Sequence, residues 1–472
     1  MVVGEISTGT EVLVIGGGPA GYLAAIRASQ LGKDVMLVDE RERLGGVCLN
    51  EGCIPSKAVI HASKLFHDAG NAGTMGIEAD PSVDMDALQE WRAGIVEQLT
   101  GGVEQLEERF GVDVVHGEAV LRSPATAHIS DADTEGVEFE HCILAPGSTV
   151  TDLPGIDIDG DTVITSKEAL ELDAVPDRFA VIGGGYIGME LGMVYAKLGA
   201  DVTVVEAGDR ILQGFPPELT GPVEDRCEEL GIDIMTDTAA DSIAVEDGAA
   251  TIDTGDGTVE ADKVLVAVGR QPNTADIGLE NTAVETDDRG FIEVDDRLQT
   301  GEEHIYAIGD AAGEPMLAHK GYQEGKVAAE VIAGEAAAAD FTVPAVVYTD
   351  PEIATVGMTE ADAEEQGHDV ATGRFSFGAS GRAATLDEDD GFVKVVAEAG
   401  SGALLGVHIV GPHASEMIPE ATLALEMGAL VSDIAMTVHP HPTLSEAFKE
   451  ACEDVVGEAV HKYNPKHQED DA

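Results

Sequence analysis

The sequence predicts an α/β protein with two dinucleotide-binding units and a separate C-terminal α+β domain. Two observations support this prediction. A strand, a glycine-rich turn and a helix occur in the same order twice, and the last quarter of the chain alternates β-rich and helical stretches. A chain of 472 residues is also too long for a single core, which agrees with about three domains.

The first unit begins at an apolar strand, residues 11–15, and its glycines follow directly. Gly16, Gly18 and Gly21 form the turn, a helix continues to about residue 31, and a strand covers residues 34–39. This order is typical of a Rossmann-like βαβ unit. The first glycine permits the tight turn, the second lets a pyrophosphate approach the backbone, and the third lets the helix pack on the strand.

The second unit repeats this pattern at residues 179–206. Its turn glycines are Gly183, Gly185 and Gly188. Each unit has a carboxylate 23 residues after its first glycine, Asp39 in the first unit and Glu206 in the second. A carboxylate there accepts hydrogen bonds from ribose hydroxyls and repels a 2′-phosphate, which favours NAD over NADP. Two units predict two bound nucleotides, or one nucleotide and a duplicated relic.

Cys48 and Cys53 form a close pair with neighbours suited to redox chemistry. No second cysteine or histidine pair lies near them, so no metal site is expected. A structural disulfide closing so short a ring would stabilise the fold by only about 2 kcal/mol. Pro55 predicts a helix that starts beside Cys53, and a helix N-terminus favours a thiolate. The pair is therefore predicted to exchange electrons, with two unreactive buried thiols as the alternative.

His441 is the second candidate catalytic group. It lies between Pro440 and Pro442, five residues before Glu446, which could orient the imidazole and stabilise its protonated form. The pattern fits a general base. A pair of exposed loop histidines is the alternative.

The charge balance is strongly acidic: 90 acidic residues against 26 basic ones give a net charge of −64. Because the acidic residues are spread along the chain, we expect a solvated halophilic protein that repels itself at low salt. A chain without a basic patch is not expected to bind nucleic acid or an anionic membrane. The absence of a long apolar run or a signal-peptide pattern predicts a cytoplasmic protein.

Together these segments resemble the pyridine nucleotide–disulfide oxidoreductase family and, within it, the dihydrolipoamide dehydrogenases. The similarity extends over residues 12 to about 459 and is most specific at residues 45–57, 305–310, 315–321 and 439–448. It implies two Rossmann-like domains, one for FAD and one for NAD, plus a C-terminal dimerisation domain that forms a homodimer. The implied boundaries are 1–147 and 271–342 for the FAD domain, 148–270 for the NAD domain and 343–472 for the interface domain.

The resemblance also implies a role for each site residue. FAD would be held by Gly16, Gly18, Gly21, Asp39, Gly46, Cys48, Lys57, Gly117, Asp310 and Ala318. NAD would be held by Gly183, Gly185, Tyr186, Gly188, Glu206 and Gly269, and Glu190 would pair with Lys57 near the flavin. Cys48 would exchange with substrate, Cys53 would lie against the flavin, and His441 with Glu446 would act as the base across the dimer interface.

The implied reaction is the oxidation of protein-bound dihydrolipoamide with NAD⁺ as acceptor. The partner would be the lipoyl domain of a 2-oxoacid dehydrogenase complex or a glycine-cleavage carrier. A glutathione-type reductase should have basic residues near Glu206, and a mercuric reductase should have a vicinal cysteine pair near its C-terminus, where Cys452 is alone. A non-catalytic nucleotide-binding subunit would not need the cysteines. Glu51 replaces a frequently apolar residue between the cysteines and is predicted to raise their pKa values.

Overall fold

The computed structural model describes residues 7–130, 136–255 and 257–462, so the tail from Tyr463, predicted to be loose, lies outside the described residues. The strands are β1 Ser7–Ile15, β2 Val35–Asp39, β3 Asp113–His116, β4 Glu118–Ser123, β5 Thr126–Ser130, β6 Gly136–Leu144, β7 Ser148–Val150, β8 Val163–Ile164, β9 Arg178–Ile182, β10 Asp201–Val205, β11 Asp233–Met235, β12 Ser242–Glu246, β13 Ala249–Asp253, β14 Thr258–Ala261, β15 Lys263–Val266, β16 Arg270–Pro272, β17 Ile305–Ala307, β18 Ala345–Val347, β19 Glu352–Gly357, β20 Val370–Ser376, β21 Phe392–Glu398 and β22 Leu404–Gly411.

The α-helices are α1 Pro19–Gln30, α2 Gly46–Asn50, α3 Cys53–Asn71, α4 Met85–Phe110, α5 Ser166–Ala169, α6 Tyr186–Leu198, α7 Pro217–Glu229, α8 Ala318–Ile332, α9 Glu360–Glu365, α10 Gly381–Leu386, α11 Ala414–Glu426, α12 Val431–Met436 and α13 Glu446–Val456. Short 3₁₀ turns lie at Ala72–Met75, Leu279–Asn281, Gly309–Ala312 and Phe377–Ala379. The chain divides into one unit of residues 1–160, 164–174 and 268–340 and a second of residues 161–163, 175–267 and 341–472. The predicted division into segments 1–147, 148–270, 271–342 and 343–472 remains a prediction.

The first unit is organised around a parallel sheet in the order β3-β2-β1-β6-β17, extended by the antiparallel strands β5 and β4. Val12, Leu13 and Val14 of β1 are completely buried, as expected for a strand covered on both faces. The carboxyl ends of these parallel strands share one edge of the sheet. The first glycine turn follows β1 at that edge, which is where α/β proteins bind nucleotides.

Helices α1 and α8 of the first unit pack together through small residues. A Cβ atom built on Gly325 of α8 would lie 2.7 Å from the backbone oxygen of Ala20 and 3.2 Å from the nitrogen of Ala24. A side chain at this position would therefore force the helices apart. This contact sets how closely the middle of α8 approaches the first turns of α1.

The second unit contains a parallel sheet in the order β11-β10-β9-β15, with β8 at its edge, and a separate antiparallel sheet, β12-β13-β14. A five-stranded antiparallel sheet in the order β18-β19-β22-β21-β20 follows in the C-terminal part. Helices α11, α12 and α13 pack on that sheet through a core that includes Phe375, Phe448 and Ile418. The predicted α/β class and the C-terminal α+β region are confirmed.

Two predicted strands are shorter than the sequence suggested. The sequence of residues 138–148 predicts a single strand, but β6 ends at Leu144 and β7 begins at Ser148. Between them Pro146 lacks an amide hydrogen, and Gly147 has a φ of 75°, so the ladder cannot continue. In the matching stretch at 264–270, β15 ends at Val266 before Gly269, which has a φ of 130°.

Candidate active site

The two glycine turns have the same geometry. In the first turn, a Cβ atom on Gly16 would lie 2.1 Å from the backbone oxygen of Ala145, and one on Gly21 would lie 1.8 Å from the oxygen of Gly16. Crowding within the protein therefore explains these two glycines. A Cβ atom on Gly18 would meet only the Cα atom of Gly46, at 3.9 Å. The middle glycine instead leaves space beside the backbone.

The second turn separates its glycines in the same way. A Cβ atom on Gly188 would lie 2.1 Å from the oxygen of Gly183, whereas no described atom lies within 4 Å of one on Gly185. Both turns thus keep an open approach beside the middle glycine, next to a helix N-terminus. This space fits the pyrophosphate of a dinucleotide, because the N-terminus and the dipole of a helix favour an anion there.

The two predicted ribose-binding carboxylates lie directly against these turns. Asp39 Oδ2 accepts a hydrogen bond from the Gly17 amide at 2.5 Å, and Glu206 Oε2 accepts one from the Gly184 amide at 2.6 Å. Glu206 Oε1 also accepts a hydrogen bond from the Gly208 amide at 2.7 Å. Each carboxylate is therefore fixed at the end of the second strand of its unit, where a ribose would lie.

The cysteine pair spans two consecutive helices. Cys48 is half-buried in α2, and Cys53 is exposed as the first residue of α3, so the predicted helix start is confirmed. The two cysteines are not joined by a disulfide in the structure. The hydrogen bond with Cys53, followed by burial, raises the pKa of Cys48 far above its ordinary value, while the charge of Lys57 opposes this rise and that of Asp310 adds to it. These surroundings favour the protonated form of Cys48.

Backbone contacts fix the segment that contains these cysteines. The Gly45 amide donates to the oxygen of Gly17 at 2.8 Å, and the Asn50 amide group donates to the oxygens of Leu44 and Gly46 at 3.2 and 2.9 Å. A Cβ atom on Gly46 would lie only 2.7 Å from the Cα atom of Gly18. The cysteine helix is thereby docked onto the first glycine turn.

The Asp310 segment is fixed by residues that the sequence reasoning missed. Ser148 donates to Asp310 Oδ2 at 2.5 Å, and Arg270 donates in turn to Ser148 Oγ at 2.8 Å. Behind them, Lys320 and Glu324 form a buried ion pair at 2.8 Å, and Glu324 accepts a hydrogen bond from the Gly309 amide. The spacing of this pair along α8 was the available signal, since residues i and i+4 share a helix face.

The remaining predicted cofactor residues lie in both units. The Gly117 amide donates a hydrogen bond to the backbone oxygen of Asp39 at 2.9 Å. Ala318 is the first residue of α8. Tyr186 is the first residue of α6 and is 41% exposed. Glu190, also in α6, is buried and accepts a hydrogen bond from the Tyr348 amide at 2.9 Å.

Two further predicted contacts concern residues on either side of the unit boundary. Lys57 belongs to the first unit, whereas Glu190 belongs to the second. Their pairing stays a prediction. Gly269 falls within the first unit, where its oxygen accepts a hydrogen bond from the Thr151 amide at 3.1 Å. Its contact with NAD likewise stays a prediction.

His441 and Glu446 form the predicted pair. His441 Nδ1 lies 3.0 and 3.2 Å from the two carboxylate oxygens of Glu446, and the imidazole is 78% exposed. Burial alone would raise the pKa of Glu446, but the Thr443 amide and the neighbouring imidazole hold it below its ordinary value. His439 is different, because its ring is nearly buried and bound to Glu420 at 2.9 Å. His441 is therefore the histidine of this segment that can meet a substrate.

Residues 10–325 match the family model described as pyridine nucleotide-disulphide oxidoreductase, and residues 343–452 match the dimerisation domain of that family. The chain belongs to this oxidoreductase family. The domain at residues 343–452 supports a homodimer.

Relatives from several organisms are similar in sequence to this chain over nearly its whole length. Proteins named dihydrolipoyl dehydrogenase are 54% identical in Haloferax volcanii and 52% identical in Halobacterium salinarum, each over 98% of this chain and 100% of the relative. One from Geobacillus stearothermophilus is 44% identical over 98% of this chain and 99% of its own. The haloarchaeal relatives agree with the halophilic character predicted from the charge.

Solved structures of the family share the fold. LpdA from Mycobacterium tuberculosis matches with a TM-score of 0.87 and 27% identity over 94% of this chain and 99% of its own. The flavoprotein disulfide reductase RclA from Escherichia coli matches with a TM-score of 0.85 and 24% identity over 94% and 99%, which shows a common fold.

The surroundings of Glu51, between Cys48 and Cys53, differ from those expected from the sequence. Glu51 was predicted to raise the thiol pKa values through an added negative charge. Its carboxylate is instead bound by Arg41 at 3.1 Å and by Lys167 at 3.0 Å. Burial opposes ionisation of Glu51, but hydrogen bonding to Lys167 and the charge of Arg41 hold its pKa below the ordinary value. Arg41 and Lys167 therefore compensate the negative charge of the Glu51 carboxylate.

In the part of the chain that the structure describes, no group of histidine, cysteine and carboxylate side chains could hold a metal ion. None of the helices described is long and apolar enough to cross a membrane. Cys142, Cys227 and Cys452 are buried, and burial raises the pKa of each thiol, to about 12 for Cys227. They are unsuited to thiolate chemistry.

Proposed function

We propose that the protein oxidises a protein-bound dihydrolipoyl dithiol to the disulfide with NAD⁺ as the final acceptor, releasing NADH and a proton. The observation that supports this most directly is the paired thiols at the junction of α2 and α3, docked onto a dinucleotide-binding turn. The names of the full-length relatives agree with this activity. A non-catalytic subunit would not need this arrangement.

Two nucleotides fit the two turns. FAD would lie against Gly16, Gly18, Gly21 and Asp39 of the first unit, and NAD against Gly183, Gly185, Gly188 and Glu206 of the second. Bound FAD would supply the two-electron chemistry that links a dithiol to a nicotinamide. The Glu206 carboxylate favours NAD⁺, and the nearby Arg210 is already bound to the backbone oxygens of Phe215 and Gln213. A glutathione-type reductase, which needs a free cation for the 2′-phosphate, is disfavoured.

The chain's own residues account for thiol exchange and proton transfer. His441, with its Nδ1 bound to Glu446, has Nε2 to take a proton from one substrate thiol. The resulting thiolate attacks Cys48 of the oxidised pair, which breaks the Cys48–Cys53 disulfide and leaves Cys53 as the thiolate. The second substrate thiol then attacks the mixed disulfide, so that the substrate leaves as a disulfide and Cys48 as a thiol. Two electrons have then passed from substrate to the pair.

Exposed apolar side chains beside His441 support the assignment of this residue to a dimer interface. Met436 is 76% exposed and Val438 is 91% exposed, directly before the histidine segment. Leu423 on α11 is 60% exposed, and Met427, directly after that helix, is 76% exposed. Apolar surface of this kind in the dimerisation domain fits contact with a second copy of the chain. His441 would then act in the site of its partner.

Turnover of dihydrolipoamide with NAD⁺ tests the proposal. We expect His441→Ala to lower kcat/KM by about 10²–10⁴-fold, the usual contribution of a general base, with Cys48→Ser and Cys53→Ser inactive. His461→Ala is the matched control, because His461 is also exposed and paired with a carboxylate, Glu450, at 2.6 Å. Full activity of His441→Ala, or turnover by either cysteine variant, would contradict the proposed roles.

A second assay distinguishes between the candidate carrier proteins of the dithiol substrate. We propose a lipoyl domain of a 2-oxoacid dehydrogenase complex or a glycine-cleavage carrier, which present the same dithiol on different proteins. Comparing kcat/KM for reduced lipoyl domains of both kinds with that for free dihydrolipoamide decides between them. Equal values for all three would show that the carrier protein is not recognised.

A further inference from the structure

Glu51, in the segment between the two cysteines, is bound by two cations from outside that segment. Glu51 directly follows the last residue of α2, its amide donates to the oxygen of Val47 at 2.8 Å, and its side chain is only 21% exposed. One carboxylate oxygen binds Arg41 and the other binds Lys167, at 3.1 and 3.0 Å. The carboxylate lies between two cations that come from different parts of the first unit.

Both cations stand on well-fixed backbone. The Arg41 amide donates to Asp39 Oδ1 at 2.8 Å, and the Arg41 oxygen is bound by His116 Nδ1 at 2.8 Å. Lys167 lies in α5, whose first turn is closed by a capping box between Thr165 and Glu168. The hydrogen bond to Glu51 is the main cause that raises the pKa of Lys167. The attachment thus links the cysteine segment to the carboxylate of the first glycine turn and to α5.

We propose that Glu51 is a positioning residue of the cysteine segment, and that its compensation by Arg41 and Lys167 sets the thiol–disulfide equilibrium of the Cys48–Cys53 pair. This inference rests on the proposed redox role of the pair. The reduced pair holds a thiolate whereas the disulfide is neutral, so a more positive surrounding potential favours the reduced form. Because the Glu51 carboxylate is only 21% exposed and Cys48 is half-buried, salt should screen charges at this segment less than it screens charges on the open surface.

The other charged and phenolic groups that act on Cys48 come from four elements. Lys57 of α3 lowers the pKa of its thiol, and Asp310 raises it. The phenols of Tyr22 on α1 and Tyr322 on α8, joined at 3.1 Å, are within electrostatic reach of the same sulfur. These groups stay constant in the variants proposed below, so a change in the equilibrium reports on the Glu51 attachment.

Two charge variants of opposite sign test the inference. Glu51→Gln leaves both cations uncompensated, so the equilibrium with a dithiol buffer should shift about threefold towards the reduced pair, about 14 mV for a two-electron couple. Lys167→Gln leaves excess negative charge and should shift it about threefold the other way. The double variant Glu51→Gln/Lys167→Gln should return close to the wild-type value. Glu40→Gln, an exposed carboxylate on the same connection, is the control and should cause no shift.

The pH dependence of alkylation of the reduced pair by iodoacetamide gives a second readout. Its midpoint should fall for Glu51→Gln and rise for Lys167→Gln, because a neighbouring cation favours the thiolate. Shifts of the same sign in both single variants would show loosening of the segment alone and overturn the electrostatic part. No shift in either, or an equal shift in Glu40→Gln, would overturn the inference entirely. A wild-type protein without a titratable pair would instead refute the proposed function.

Discussion

At the scale of single residues, open space and crowding distinguish the glycines that bind from those that pack. Gly21 and Gly188 are required because a Cβ atom would strike the backbone of the preceding turn. Gly18 and Gly185 have no such reason within the described chain, and their space is left for a ligand. The carboxylates of Asp39 and Glu206 lie against these turns, and we propose that they influence which nucleotide each turn accepts.

The choice between NAD⁺ and NADP⁺ is predicted to depend on the charge of Glu206. Glu206→Gln keeps a side chain of the same size but no longer repels a 2′-phosphate. We expect the ratio of kcat/KM for NAD⁺ to that for NADP⁺ to fall by about tenfold, equivalent to about 1.4 kcal/mol. Glu246→Gln, on the exposed strand β12 of the same unit, should leave the ratio unchanged. Equal use of both nucleotides by the wild-type protein would show that this carboxylate does not select.

At the scale of elements, the sequence predicts well those helices and strands that have a periodic apolar pattern or a glycine or proline at their ends. The two βαβ units and the start of α3 at Cys53 were found because glycine, proline and apolar runs signal them directly. The contacts of Ser148 with Asp310, and of Glu51 with Arg41 and Lys167, could not be found in this way. They join residues distant in sequence, whose proximity depends on the sheet order.

Packing between α1 and α8 predicts opposite effects for two glycine substitutions. Gly325→Ala places a methyl group 2.7 Å from the oxygen of Ala20, and the overpacking should cost about 1–3 kcal/mol. Gly101→Ala, in α4, meets no atom within 4 Å and should stabilise the protein by up to about 1 kcal/mol through helix propensity. Thermal unfolding at one salt concentration compares them. A Gly325→Ala variant as stable as Gly101→Ala would contradict the described helix contact.

Helix α4 is predicted to make the folded state sensitive to pH. Glu107 is 1% exposed, neither of its oxygens has a hydrogen-bond partner in the described structure, and burial raises its pKa to about 8. As pH rises from about 5 to 8, the unfolded chain releases this proton first, so the free energy of unfolding should fall by up to about 1.4 kcal/mol per pH unit. The dependence should level off above pH 8.

Substitution isolates this effect. Glu107→Gln removes the titration, so its stability relative to wild type should increase from pH 5 to pH 8, measured by denaturant unfolding at constant salt. Glu104→Gln, on the exposed side of the same helix, should follow the wild-type profile. Parallel profiles for Glu107→Gln and wild type would show that Glu107 keeps an ordinary pKa.

At the scale of the whole molecule, charge and assembly are connected. Each subunit has a net charge of −64, and a dimer brings two such subunits together. At about 0.01 M salt the screening length is about 30 Å, so repulsion acts across a domain, whereas at 1 M it is about 3 Å. Folding and dimerisation should both weaken as salt is removed.

A salt series tests this connection between charge, dimerisation and activity. Sedimentation, flavin absorbance and dihydrolipoamide oxidation should be measured together from molar to millimolar salt. Since His441 is proposed to act across the interface, activity should fall with dissociation even where flavin stays bound. An active monomer, or full activity and stability at low salt, would refute this account.

The most direct test of the central claim is anaerobic titration of the purified flavoprotein with dihydrolipoamide, followed by its visible spectrum. If Cys48 receives the substrate and Cys53 becomes the thiolate beside the flavin, one equivalent should produce a long-wavelength charge-transfer band in wild type. Cys48→Ser should show no substrate-driven reduction, and Cys53→Ser should show no band. A wild-type protein that bleaches directly without the band, or a Cys48→Ser variant that is reduced like wild type, would contradict the claim.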